Sequence, residues 1–520
     1  MPARSQDHVH RLIRSMSPAE KRGFKLHLSR NGQAPDRTQE LLFDAIARMD
    51  RYDETALLSR FEGASFTRHF AITKRRLYQS ILNGLEAFHA ESSVDARLNR
   101  LVHQAEILHQ RALYDDAAKI LRSAKRVAER HQRIPALMSI REWERRDAER
   151  RNYDGIDARA LQRMTDEDSD RRRAVEEIDS LWLLKSNLLI SLYHEGTVPP
   201  SESERNTVES SNQPLAPGGD EPRTAKARYL LHHIRSASAF ARGRLLECVE
   251  HLHKNLDLLE HERACFQDEP SLILGVVSNL AYTNMRLGRY ENAFALLRRF
   301  RSLPAQWGMP ETDDLDLKLF STTTSLELSM HLRMGDFDKA AELTSVVKRG
   351  LAQHVDRIGP VRRASLQYQA AYAQFGAGSP ENALRWMNDL LNGVRADDHS
   401  DAVHAGRLLH LLILLDLGRT GLLTYTMRNT ERFLRLHKRK NRFEKALLQL
   451  VRCTLSPRNK EARIDAIIRF RSAVLPLIDE PAERGMFEHF DPIAWAESKL
   501  SGKSLSHHVR ERARQMEQAA

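Results

Sequence analysis

"LGRYENAFALLRRF", Leu287 to Phe300, lies between two apolar helical patterns and decides the reading of the fold. It sets Gly288, Tyr290 and Ala293 in the order G-x-Y-x-x-A. A residue just past a helix end often takes a positive φ, where glycine has no Cβ penalty, so Gly288 is expected to end one helix. Tyr290 is placed to fill the gap beside the turn. Glu291 suits the positive end of the next helix dipole. Ala293 lets two antiparallel helices approach closely, and a bulkier residue there would cost about 1–3 kcal/mol.

The same order recurs along the chain. Ala112, Tyr114 and Ala117 form an early copy with alanine in the glycine position. Gly243, Leu245 and Cys248 follow, then Gly335, Phe337 and Ala340, then Gly378, Pro380 and Ala383, with a weaker copy at Gly418. From Cys248 onward the small residues lie roughly 40–47 positions apart, the range of a two-helix repeat. "NLAYTNMRLGRYENAFALLRRF" resembles a tetratricopeptide-type repeat, with small residues Ala281 and Ala293 on facing helices. "AEILHQRALYDDAAKILRSA" resembles it likewise through Ala105, Tyr114, Ala117 and Ala124. The resemblance implies an all-α fold: a right-handed superhelical array of antiparallel helix pairs with an extended concave face. The spacing exceeds the family's usual 34 residues, the proline at the repeat end is missing, and Leu245 and Cys248 replace Tyr and Ala. HEAT-like pairing is therefore an alternative. "SPAEKRGFKLHLSR" and "FDPIAWAESKLSGKS" resemble the opening and closing segments of a group of bacterial helical-repeat proteins, a resemblance that implies no site.

Composition agrees. Of 520 residues 41% are hydrophobic and 29% charged, enough for a core and rich in the straight-chain residues that favour helices. No alternating strand pattern is present. The three cysteines, Cys248, Cys265 and Cys453, are too scattered for a disulfide framework or a thiolate zinc site, which fits a reducing compartment. The first residues have no apolar core of a signal peptide. The longest apolar run, "LLHLLILLDL" from Leu408, contains His410 and Asp416 and is too short to span a bilayer. A cytoplasmic, soluble protein is the expectation.

The expected organisation has five parts: an N-terminal helical module over 1–92, a first helical-repeat segment over 93–195, a flexible acidic Ser/Pro-rich loop over 196–222, the main array over 223–480, and capping helices over 481–520. Ser17, Pro18 and Glu20 read as a capping box opening a helix. Phe70, Leu77, Ile81 and Leu85 form one apolar stripe, and Leu181, Leu184, Leu188 and Leu192 another. "SIREWERRDAERR" reads as an exposed helix laced with i,i+4 ion pairs. Asp491 can cap a last helix with Pro492 in its first turn, and Ile493 and Trp495 can cover the end of the array. The N-terminal module has no clear helix-turn-helix signature.

No phosphate-loop, dinucleotide, nucleophile-elbow or zinc-protease motif is present. Asp313, Asp314 and Asp316 lack the glycine and distal glutamate of a calcium loop and read as helix-start acids. His251 and His253 are two residues apart and point to different faces, so neither they, His261, nor His507 and His508 read as metal ligands. No catalytic residue, metal or cofactor is expected. The net charge of +11 is local: Arg428–Lys460 holds 11 Lys/Arg against Glu431 and Glu444. Arg428, Arg432, Arg435, Lys438, Arg439, Lys440 and Arg442 are candidate contacts for an acidic partner or nucleic acid. A solvated helix end is the plainer reading. The expected function is a non-catalytic scaffold that binds a protein or peptide segment on its concave face. The alternative is a regulatory protein that binds nucleic acid through 428–460 or the N-terminal helices.

Overall fold

The computed structural model describes residues 7–31, 37–194, 222–393, 400–437, 441–455, 460–480 and 483–519. Among them every regular element is an α- or 3₁₀-helix. The chain divides into two compact units, 7–175 with Ala264–Asp268, and 176–263 with 269–519. The division falls within the 37-residue helix Ala158–His194. Residues 195–221, almost the whole of the expected Ser/Pro-rich loop, lie outside the described residues.

The first unit opens with five helices, His8–Ser15, Pro18–Asn31, Arg37–Ala47, Glu54–Arg60 and Phe70–Phe88. They share a core that includes Val9, Ile13, Phe24, Phe43, Leu57, Leu77 and Ile81. The Ser17–Glu20 capping box is reciprocal: the Ser17 N–H donates to Glu20 Oε2 (2.6 Å) and the Glu20 N–H to Ser17 Oγ (3.2 Å). Three further helices, Val94–Gln110, Tyr114–Arg130 and Ile134–Arg150, pack around Leu98, Ala105, Ala117 and Ala124. The first of them takes part of its cap from far along the chain. The Asp268 carboxylate accepts the N–H groups of Val94 (3.0 Å) and Asp95 (3.3 Å) and pairs with Arg133 (2.8 Å).

"SIREWERRDAERR" is largely exposed and carries i,i+4 pairs, among them Arg151–Asp147 (3.0 Å), but it departs from its expectation at Arg141. Arg141 is 5% exposed, and its guanidinium donates to Asp168 (3.0 Å), Glu144 (2.6 Å) and Glu167. Two of the acids arrive from the following helix, which no i,i+4 rule could indicate. Another surface i,i+4 pair joins Arg146 and Glu142 (3.4 Å).

The second unit is built of antiparallel pairs of consecutive helices. Ala225–Ala241 pairs with Leu245–His261, Ser271–Arg286 with Tyr290–Gln306, and Asp313–Met334 with Phe337–Gln353. Pro360–Gly376 pairs with Pro380–Gly393, Asp401–Asp416 with Thr420–Leu436, and Arg442–Leu455 with Lys460–Val474. The turns share one geometry. Gly288 has φ +75°, its N–H donates to Met285 O (3.1 Å), and the next N–H, of Arg289, reaches back to Asn284 O (2.9 Å). Gly335, Gly378 and Gly418 repeat this pattern, satisfying carbonyls a helix end would otherwise leave unpaired. Ala293, Ala340 and Ala383 are all fully buried. The aromatic residue starts the second helix. Phe337 is fully buried and meets Tyr372 edge-on at 5.3 Å, while Gly376 leaves the space that ring occupies. It therefore also bridges to the following pair.

The array ends in Pro492–Ser501 and Leu505–Ala519. Asp491 Oδ1 accepts the N–H groups of Ile493 (3.1 Å) and Ala494 (2.9 Å), and Trp495 packs at 2% exposure against Phe470. The last helix returns to an earlier pair, where Ser506 Oγ donates to Gly335 O (2.7 Å) and Arg510 pairs with Asp336 (3.2 Å).

Candidate functional site

The basic run occupies helix Thr420–Leu436 and the start of Arg442–Leu455. Phe433 and Leu434 are buried, which turns Arg428, Arg432 and Arg435 outward, and all three are exposed. Part of the positive charge is already matched: Arg442 pairs with Glu480 (2.5 Å) and Arg452 with Glu431 (2.9 Å). Arg407 lies over the Phe433 ring, 4.4 Å from its centroid. Lys438, Arg439 and Lys440 lie outside the described residues. Thus three arginines share one outer face, while Arg442 is spent on the neighbouring segment.

The residues singled out as metal candidates are engaged elsewhere. His251 Nδ1 lies 3.3 Å from His232 Nδ1, and His253 and His261 each reach the carbonyl four residues earlier. Asp313 and Asp314 pair with Arg357, and Asp316 lies 3.3 Å from His354. Among the described residues no group of three or more His, Cys, Asp or Glu could hold a metal ion. No described helix is long and apolar enough to cross a membrane.

The second unit also holds a cleft of 550 Å³ between the C-terminal half of Ala158–His194, the start of Ala225–Ala241, and Glu269 with Leu272. Ile178, Trp182, Tyr229, Leu230 and Leu272 supply its apolar wall. Asp179, Lys185, Lys226, His233 and Glu269 supply its polar groups. The helical period explains the lining. Leu181 and Leu188 turn into the core at 1% and 2% exposure, so Trp182 one step on is left 57% exposed. Leu183 and Ile190 beside it are exposed as well. Lys226 Nζ bonds both Glu269 oxygens, at 2.5 and 2.6 Å. Tyr229 and His233 stack with centroids 5.9 Å apart. Burial, then the positive charge of Lys185, lowers the His233 pKa to about 4, so its ring is neutral near pH 7. Burial and the Glu269 charge push the Tyr229 hydroxyl up to about 12, so it stays protonated. The cleft thus offers aromatic faces, a neutral imidazole and charges of both signs. None of its residues was singled out from sequence. The available signal was Trp182, an aromatic beside the apolar stripe and not on it.

No protein-family model matches the chain, and no curated protein matches it. Among solved structures, the crystal structure of a Rap protein complexed with competence and sporulation factor matches with a TM-score of 0.40 and 10% identity. The match covers 81% of this chain and 99% of that one. So loose a likeness adds nothing to the fold read from the helices themselves.

Proposed function

We propose that the protein is a non-catalytic scaffold whose second unit binds a peptide or protein segment. The observation that carries this reading is the cleft beside Trp182. Its volume lies in the range of specific binding sites, and its lining is more polar than most, with five polar or charged side chains facing five apolar ones, which suits a segment that carries charges. Trp182 supplies a large, rigid apolar surface at low entropic cost, the kind of side chain that dominates binding energy at interfaces. The fitting partner carries an apolar or aromatic anchor for Trp182 and Tyr229. It also carries charges to meet Lys185 and Asp179, since Lys226 and Glu269 already neutralise each other.

A peptide array probed with the full-length protein tests the reading. Bound sequences should share an apolar anchor, and Trp182→Ala should weaken them about thirtyfold, the effect of losing a central anchor worth ~2 kcal/mol. Failure to enrich any peptide, or equal binding by the variant, would overturn it.

A further inference from the structure

The first unit carries an exposed basic helix face that the peptide reading does not use. Helix Glu54–Arg60 is followed by a four-residue turn, Phe61–Ala64, in which Gly63 has φ +84°. A 3₁₀ turn, Ser65–His69, then runs into Phe70–Phe88. Nine residues, 61–69, separate the two α-helices, more than the three- or four-residue turn of a helix-turn-helix, so the case rests on the exposed face and not on that motif. The arrangement is held from both sides. Leu57, Phe70, Leu77 and Ile81 share one core. Lys74 ties the helices together through Glu54 (2.9 Å), Asp7 (2.8 Å) and the Tyr52 hydroxyl (2.9 Å).

This packing leaves Ile72, Arg75, Arg76, Gln79 and Asn83 exposed along one side of the long helix, with Arg60 and Arg68 exposed before it. The four arginines make no ion pair among the described residues. Of the nearby acids, Glu54 is spent on Lys74 and Asp53 caps its own helix, while Glu62 is exposed in the turn and Glu86 at the far end of the helix. From Ile72 to Asn83 the helix rises about 16 Å, close to five base pairs of duplex. The residue types also fit. Arginine and glutamine can each bond two atoms of one base edge, and an exposed Ile72 suits a thymine methyl group.

We propose that this face is a duplex-DNA site, with the N-terminal half of Phe70–Phe88 in the major groove. Arg75, Arg76 and Gln79 reach base edges, and Arg60 and Arg68 contact phosphates, as in a recognition helix docked by its first turns. The site stands on the first unit alone, so it and the peptide site can fail separately.

Fluorescence anisotropy of the full chain with a labelled mixed-sequence duplex at 50 and 200 mM NaCl tests it. Wild type should bind at the lower salt and weaken at the higher. Arg75→Ala with Arg76→Ala should bind at least tenfold more weakly, and Arg60→Ala with Arg68→Ala should lower the salt slope by about two. Arg75→Lys with Arg76→Lys should recover part of the affinity, because lysine can also reach a guanine edge but without the guanidinium fork; this also guards against a folding defect in the Arg75 and Arg76 alanine pair. Arg428→Ala, Arg432→Ala and Arg435→Ala together should change binding less than threefold. The proposal is overturned by absence of duplex binding at 50 mM, by unchanged binding of the Arg75 and Arg76 alanine pair, by loss on neutralising 428–435 instead, or by preference for single-stranded RNA or polyglutamate over duplex.

Discussion

Gly288 and Gly335 share nearly the same φ, +75° and +72°, yet their surroundings differ. A Cβ on Gly288 would meet nothing within 4 Å. One on Gly335 would lie 2.9 Å from Arg510 Cγ and N, and 3.0 Å from Ser506 O. Gly288→Ala should therefore cost only the left-handed backbone term, about 1 kcal/mol. Gly335→Ala should cost about 2–3 kcal/mol and loosen the C-terminal helix as well. Ala112 is the mirror case: it holds φ +59° and makes the same pair of turn bonds, to His109 O (3.0 Å) and, through Leu113, to Leu108 O (3.0 Å). Ala112→Gly should stabilise the first unit by about 1 kcal/mol. Hydrogen exchange checks all three: only Gly335→Ala should speed exchange in 505–519, and Ala112→Gly should slow it in 94–130. That a turn falls at Ala112 was legible from its copies elsewhere. The crowding at Gly335 was not, because the crowding residues lie about 170 positions away.

At the scale of elements, helix ends and contact faces follow two different rules. Caps such as Ser17–Glu20 and Asp491 act within three residues and can be read directly. The cap on Arg442–Leu455 cannot: Glu483 accepts the N–H groups of Arg442 (2.8 Å) and Phe443 (3.1 Å) from 40 residues on. Faces are set by small residues. Ala293 packs with Ala281, Met285 and Leu297, and both Ala293 and Ala340 are 0% exposed. Ala293→Leu or Ala340→Leu should lower the melting temperature by wedging the helix pair apart, at about 1–3 kcal/mol each. Unchanged melting curves for both would remove the close-packing role.

At the scale of the molecule, the two units should respond to acid in different windows. In the second, His232, His233 and His410 each have a pKa lowered to about 4 by burial, with His251, Lys185 and Arg407 respectively as the next cause. Unfolded histidines take up protons near pH 6.5 while these resist, so this unit should lose stability as pH falls from about 6.5 to 4. In the first unit burial works to raise the pKa of Asp7 and Asp168, but it is outweighed by Lys74 for Asp7 and by Arg141 and Arg145 for Asp168. Both carboxyls stay below their ordinary value, so their contribution is present at neutral pH and is lost only as pH falls below about 4. Hydrogen exchange, corrected for its intrinsic pH dependence, should show 225–261 and 401–416 loosening between pH 6.5 and 4.5 while 8–88 holds. Simultaneous loosening would count against this assignment.

The helical class, the turns and the small-residue contacts between paired helices all follow from the chain's local chemistry. Each of these is a local matter: a glycine at a positive φ, a cap within one turn, an alanine repeated at a helix-pair interval. The buried Arg141 cluster, the cleft beside Trp182 and the exposed arginine face of Phe70–Phe88 arise from the packing between helices. In each case the deciding partners come from other helices, and whether a charge or an aromatic is buried, paired or left outward depends on which helices pack against it.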